Sequence, residues 1–274
     1  MAENQIITRM LTELIIYLFI GAVTGVLAGL FGIGGGTIIV PALILTLTLQ
    51  GVSPDVSTHI AIGTSLAAIS MTSLSSVYSH HLRGAVRWPL VVQLVPGVCI
   101  GVWLGAALAS QLSGVVLQKC FGVFLVAIAL QLFFALQPHR QAEQSLPWFG
   151  MWGSGAVIGF LSALFGIGGG SLSVPFLRWR GVVMQSAVAT ASAVGFPLAV
   201  AGAFSYAWQG WANHLLPPEC TGFVYWPAFA GIAVTSIGFA KIGVQLAHAL
   251  DAQKLQRIFA LFSLCIGVYF LIRG

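Results

Sequence analysis

The sequence predicts an all-α polytopic integral membrane protein made of two inverted repeats, each with about five transmembrane or half-membrane segments and glycine-broken helices. Three observations carry this expectation. Charged residues make up only 6% of the 274-residue chain and hydrophobic residues 58%, against about 25% charged in an average soluble domain. Apolar runs such as 97–112 and 115–136 contain no Asp, Glu or Arg. Their continuity suits spanning helices of about 20 residues and excludes the alternating pattern of a β-barrel. Finally, the stretch Phe31-Gly-Ile-Gly-Gly-Gly36 returns 134 residues later as Phe165-Gly-Ile-Gly-Gly-Gly170.

The repeat sets the organisation. Overlaying residues 21–44 on 155–178 leaves 15 of 24 positions identical, with Pro41 falling on Pro175. This predicts an N-terminal repeat over 1–137, a cytoplasmic linker over 138–147 and a C-terminal repeat over 148–274, all in one membrane domain.

The apolar stretch after Thr12 runs on without a small-residue cleavage site, so 12–31 reads as a retained first span. Segments 35–49, 58–82, 88–112 and 115–136 complete the first half. The second half divides into 148–165, 168–178, 184–208, 222–244 and 256–272. Each glycine cluster could lie within one bent helix, giving four spans per half, or could turn the chain back, giving five segments. Positive charge favours the second, because Lys and Arg gather in short cytoplasmic loops. With five segments, Arg83, Arg87, Arg140, Arg178, Arg180, Lys241, Lys254 and Arg257 fall on one side and Arg9, Lys119 and Arg273 on the other. With four, the split is nearly even. An odd number per half turns the second repeat upside down relative to the first and places both termini outside the cytoplasm.

Glycine triplets permit backbone conformations closed to other residues and let a ligand approach closely. Amides freed at a helix start, reinforced by the helix dipole, can hold an anion. Gly34, Gly35, Gly36 and Thr37 in the first half, and Gly168, Gly169, Gly170 and Ser171 in the second, are therefore the candidate substrate-binding residues. Tight helix crossing is the plain alternative. A hydroxyl-rich segment follows each cluster and adds Thr64, Ser65, Thr190 and Ser192 as hydrogen-bonding candidates; helical hydroxyls also bond to their own backbone. The regular spacing of Gly21, Gly25 and Gly29, and of Gly97, Gly101 and Gly105, reads as close helix packing.

Other chemistries lack residues. No Asp or Glu lies between span ends, which argues against a cation substrate. If a proton couples, His59, His80 and His81 are the candidates, since imidazole titrates near neutrality. Cys99, Cys120, Cys220 and Cys265 show no paired spacing, so neither a metal site nor a disulfide framework is expected. The net charge of +5 falls at span ends and does not indicate nucleic acid. No cofactor is implied, and no nucleophile–base pair marks an enzyme.

The duplicated FGIGGG-(S/T) cluster is preceded by Gly21 and Gly25 or Gly155 and Gly159, and followed by Val40-Pro41 or Val174-Pro175. This pattern resembles the TauE/SafE family of sulfite exporters and related permeases over essentially the whole chain. The resemblance implies a permease of the plasma (inner) membrane for a small anion such as sulfite, a sulfonate or a carboxylated relative. The expected function is secondary transport by alternating access; an anion channel and a non-transport assembly or regulatory protein are the alternatives. Expected partners are the anionic substrate and the lipid bilayer.

Overall fold

The computed structural model describes residues 2–31, 35–133, 147–249 and 252–273. Gly34, and the 138–146 stretch of the expected linker, lie outside the described residues. The first half contains α1 (Ala2–Phe31), α2 (Gly36–Leu49), α3 (Pro54–Leu82), α4 (Trp88–Ala109) and α5 (Gly114–Phe133). The second contains α6 (Trp148–Phe165), α7 (Gly170–Trp179), α8 (Met184–Gln209), α9 (Trp226–Ala249) and α10 (Ala252–Arg273). This is the all-α polytopic architecture that the composition predicts. Helices α3, α4, α6, α8 and most of α5 are long and apolar enough to cross a membrane.

Local chemistry explains the boundaries. Ser53 caps α3 by accepting the Asp55 N–H (3.3 Å), with Pro54 at the first helical position, where its missing donor costs nothing. Pro89 and Pro227 stand second in α4 and α9, still within the first turn, where an N–H has no intrahelical partner to lose. One expected boundary moves. The reading of 222–244 as a single span is corrected by strands β1 (Cys220–Thr221) and β2 (Val224–Tyr225), which pair antiparallel ahead of α9. Gly222, at φ 54°, supplies the turn between them.

Both glycine clusters turn the chain back. Gly35, just before α2, packs beside Thr24 of α1, whereas Gln50, just after α2, donates to the Tyr17 hydroxyl (2.8 Å). So α2 returns along α1. Likewise Arg180, at the end of α7, reaches back to Met151 near the start of α6. With 14 and 10 residues, α2 and α7 cover roughly 21 and 15 Å at 1.5 Å per residue, short of a bilayer core about 30 Å thick.

The most extensive helix pairings join one half to the other: α1 with α9, α4 with α6, α5 with α10 and α3 with α8. Their directions follow from the contacts. Gly97, Gly101 and Gly105 of α4 lie on the backbone of Trp152, Ala156 and Phe160 of α6, in rising order, so these helices run parallel. Gly21 and Gly25 of α1 meet Ile232 and Ser236 of α9, again parallel. In contrast, Gly63 and Leu66 of α3 meet Tyr206 and Gly202 of α8, an antiparallel pair. Phe121 and Val126 of α5 meet Phe270 and Gly267 of α10, also antiparallel. Glycine at the crossing points lets backbones approach to a distance no β-carbon would allow.

Helices α3 and α8 form the centre. Of their most apolar windows 61% of residues are buried, against 44% for α4, α5 and α6. The outer helices present Ile100, Leu104, Val123 and Val234 outward, as a lipid-facing surface requires.

Candidate functional site

The two glycine breaks touch. A β-carbon at Gly36 would overlap the Gly166 carbonyl and come within 2.8 Å of the Ile167 Cα. Gly166 takes a left-handed φ of 63° and ends α6, with its N–H and that of Ile167 both returning to the Ser162 carbonyl. Gly35 takes φ 69° and begins α2. The first turns of α2 and α7 therefore lie beside one loop, because Gly170 follows Ile167 by only three residues.

Gly36, Thr37, Gly168, Gly169, Gly170 and Ser171 are all buried there. Gly169 abuts Gly195 of α8, with its β-carbon position 3.1 Å from the Gly195 Cα. The two arginines nearest the second break in sequence have partners elsewhere. Arg178 donates to the Val182 carbonyl (3.2 Å), and Arg180 lies against the Met151 sulfur (2.9 Å) and 6.0 Å from the Phe176 ring centre. Both belong to the far end of α7. The breaks thus offer backbone N–H groups, hydroxyls and helix dipoles, a neutral set suited to an oxyanion.

The four hydroxyl candidates divide. Ser65 donates to the Gly166 carbonyl (2.8 Å) and fastens the second break to α3. Thr64 is fully buried and accepts the Tyr225 N–H (2.9 Å); Thr190, equally buried, accepts the Arg87 N–H (3.0 Å). Each of these amides immediately precedes a helix, α9 or α4, where no carbonyl one turn earlier is available. Both threonines therefore secure helix starts. Ser192 remains near the second break, accepting from Ser76 (3.2 Å) while donating to the Val188 carbonyl (3.0 Å).

The histidines also separate. His59 is 4% exposed and stacks on Phe223, with ring centres 5.0 Å apart. Its Nδ1 faces the Asp55 carbonyl (3.0 Å) and its Nε2 the Ala109 carbonyl (2.9 Å). A neutral imidazole can donate to only one of two acceptors; both bonds require both protons. His80 is half-buried, whereas His81 is exposed at the end of α3 and accepts from the Trp88 indole (3.3 Å).

A second motif is duplicated beside Thr190 and Thr64. Gly84-Ala-Val-Arg-Trp-Pro89 and Gly222-Phe-Val-Tyr-Trp-Pro227 share Gly, Val, Trp and Pro at a spacing of 138 residues. Both glycines have positive φ (63° and 54°). Arg87 and Tyr225, the residues held by Thr190 and Thr64, occupy the same position in the motif.

Residues 17–270 match the family model described as Sulfite exporter TauE/SafE. The chain belongs to the TauE/SafE family. A probable membrane transporter protein of Haemophilus influenzae is 34% identical over 259 residues, covering 94% of this chain and 98% of the relative. One from Xylella fastidiosa is 30% identical over 269 residues, with 96% of each covered. One from Methanocaldococcus jannaschii is 26% identical over 260 residues, with 93% and 94% covered. No solved structure matches. This TauE/SafE member is thus a multi-pass membrane transporter rather than an enzyme.

Proposed function

We propose that this transporter carries a small anion, such as sulfite, a sulfonate or a related carboxylated compound, across the plasma (inner) membrane by alternating access. The observation that carries the reading is the meeting of two glycine turns, one from each half, beside the starts of two half-length helices. Paired broken helices are the usual substrate site of inverted-repeat carriers.

Helix directions support the inversion. If the halves stood the same way up, equivalent helices α3 and α8 would run parallel, as would α5 and α10; both pairs run antiparallel. Exchanging equivalent helices also converts the α1–α9 pairing into α6–α4, which is present. Rocking one half against the other would open the breaks to each side in turn. The termini would lie outside the cytoplasm, so a cysteine introduced within 139–145 is expected to label from the cytoplasmic side only; labelling solely from outside would reverse the orientation. For coupling, His59 is the best placed of the three histidines, because its ring bridges α3 and the end of α4.

The decisive experiment is counterflow in proteoliposomes preloaded with sulfite, 2-aminoethanesulfonate or acetate. Accumulation of labelled substrate against one preload establishes a carrier and its substrate class. Uptake without trans-stimulation would indicate a channel instead, and no uptake with any of the three would refute the anion reading.

A further inference from the structure

The hydroxyls of α3 mostly turn back onto their own helix. Ser70 donates to the Ala67 carbonyl (2.7 Å), Thr72 to the Ile69 carbonyl (3.0 Å) and Ser79 to the Ser75 carbonyl (3.0 Å). Ser73 does not. It is 91% buried, being 9% exposed, and its hydroxyl has no hydrogen-bond partner among the described residues. Unlike Ser162 and Ser173, whose oxygens are fully enclosed, Ser73 keeps its oxygen open to the space beside it, so a ligand oxygen there could accept its hydrogen bond.

The oxygen of Ser73 faces the second break. A β-carbon built on Gly195 would sit 3.6 Å from Ser73 Oγ and also 3.6 Å from the backbone nitrogen of Gly169, which caps α7. One small space is therefore bounded by a free hydroxyl, a bare stretch of α8 and the positive end of a helix. One turn along the same antiparallel seam, Ser76 and Ser192 share a hydrogen bond. The first half lacks the counterpart. The position of α3 equivalent to Gly195 is Ile69, and its Cδ1 lies 3.0 Å from the β-carbon position of Gly36. A branched side chain stands where the second half has nothing.

We propose that the oxyanion head of the substrate binds at the second break alone, between Gly195, the Ser73 hydroxyl and the first amides of α7, with Ile69 closing the twin place in the first half. The inference rests on the anion-transport reading above and makes its site one-sided. The α7 amides and dipole supply attraction for negative charge. Ser73 supplies one oriented donor, and the absent β-carbon at Gly195 supplies room.

Two variants test it. Ser73→Ala deletes a hydroxyl that no group among the described residues uses. Gly195→Ala adds a methyl whose neighbours lie at ordinary contact distances of 3.6–3.9 Å, so the fold accommodates it while the space is filled. Both are expected to keep the substrate-free melting temperature of the wild type and to raise KM by about tenfold, the scale of one lost hydrogen bond. The measurement is concentration-dependent uptake of labelled sulfite, 2-aminoethanesulfonate and acetate into proteoliposomes. Wild-type KM in both variants, with the wild-type protein active, overturns the subsite and leaves the transport reading standing. A melting temperature lowered in step with uptake by Ser73→Ala assigns that hydroxyl a structural role and likewise overturns it. No saturable uptake of any of the three by the wild type overturns both.

Discussion

Helices α3 and α8 occupy matching places in the two halves of the chain, and they differ in an instructive way. They agree at Thr64 and Thr190, which hold the amides ahead of α9 and α4. They disagree around the glycine breaks. Ser65 faces Ala191 in the alignment, Ile69 faces Gly195, Ser73 faces Ala199 and Ser76 faces Gly202. What the two helices share maintains the frame; what they do not share is concentrated where the proposed substrate sits. A frame is free to be symmetric because backbone groups need the same partners in either orientation. A small anion has no such symmetry, and one good pocket suffices.

The comparison can be broken in several places. The largest effect is expected from Gly101→Leu, which drives a side chain into the Ala156 backbone of α6. It should leave no monodisperse protein in detergent size-exclusion chromatography, since the overlap is with backbone and cannot be relieved by a rotamer change. Next come Thr64→Val and Thr190→Val. Each strands the N–H that precedes a helix, at a cost of about 1–3 kcal/mol for the buried Tyr225 amide and less for that of Arg87, an exposed residue. The symmetric-frame idea requires both melting temperatures to fall. A large loss for one and none for the other would end it. Ser65→Ala should cost somewhat less, about 1 kcal/mol, because the Gly166 carbonyl loses only this donor; thermal unfolding reads it directly. The smallest effect belongs to His59→Gln, because a glutamine amide can keep one of the two contacts that the ring makes to the Asp55 and Ala109 carbonyls. Thermal unfolding should show a fall no larger than that of Ser65→Ala; a larger one would assign the difference to the lost stack on Phe223.

Much of this was legible beforehand. The charge-poor composition dictated the helical membrane class, and the FGIGGG pair located both chain reversals. Length alone made 35–49 and 168–178 too short to span. The roles of individual hydroxyls were not legible, because on a helix whose faces are all apolar or small, the sequence does not say which serine meets a carbonyl from the other half. Thr64 and Thr190 stand out in the sequence as substrate-binding candidates, whereas each holds a backbone amide, with partners 161 and 103 residues away along the chain. The Trp-Pro motif was readable in principle. It recurs at a spacing of 138 residues, whereas the glycine clusters recur at 134 and the paired threonines at 126, so no single gapless overlay displays all three. Turns of unequal length between the copies cause that drift. Ser73 is visible in the sequence only as one hydroxyl among many, and its lack of a partner among the described residues is a property of the packing.

The crossed glycine seams have a consequence for assembly. The most extensive pairings each take one helix from either half: α1 lies on α9, α4 on α6, α5 on α10 and α3 on α8. A chain that has emerged only as far as α5 would carry bare glycine faces on α1 and α4 with nothing to cover them. Those faces close only when α6 and α9 arrive, so the last helices to be made complete the packing of the first.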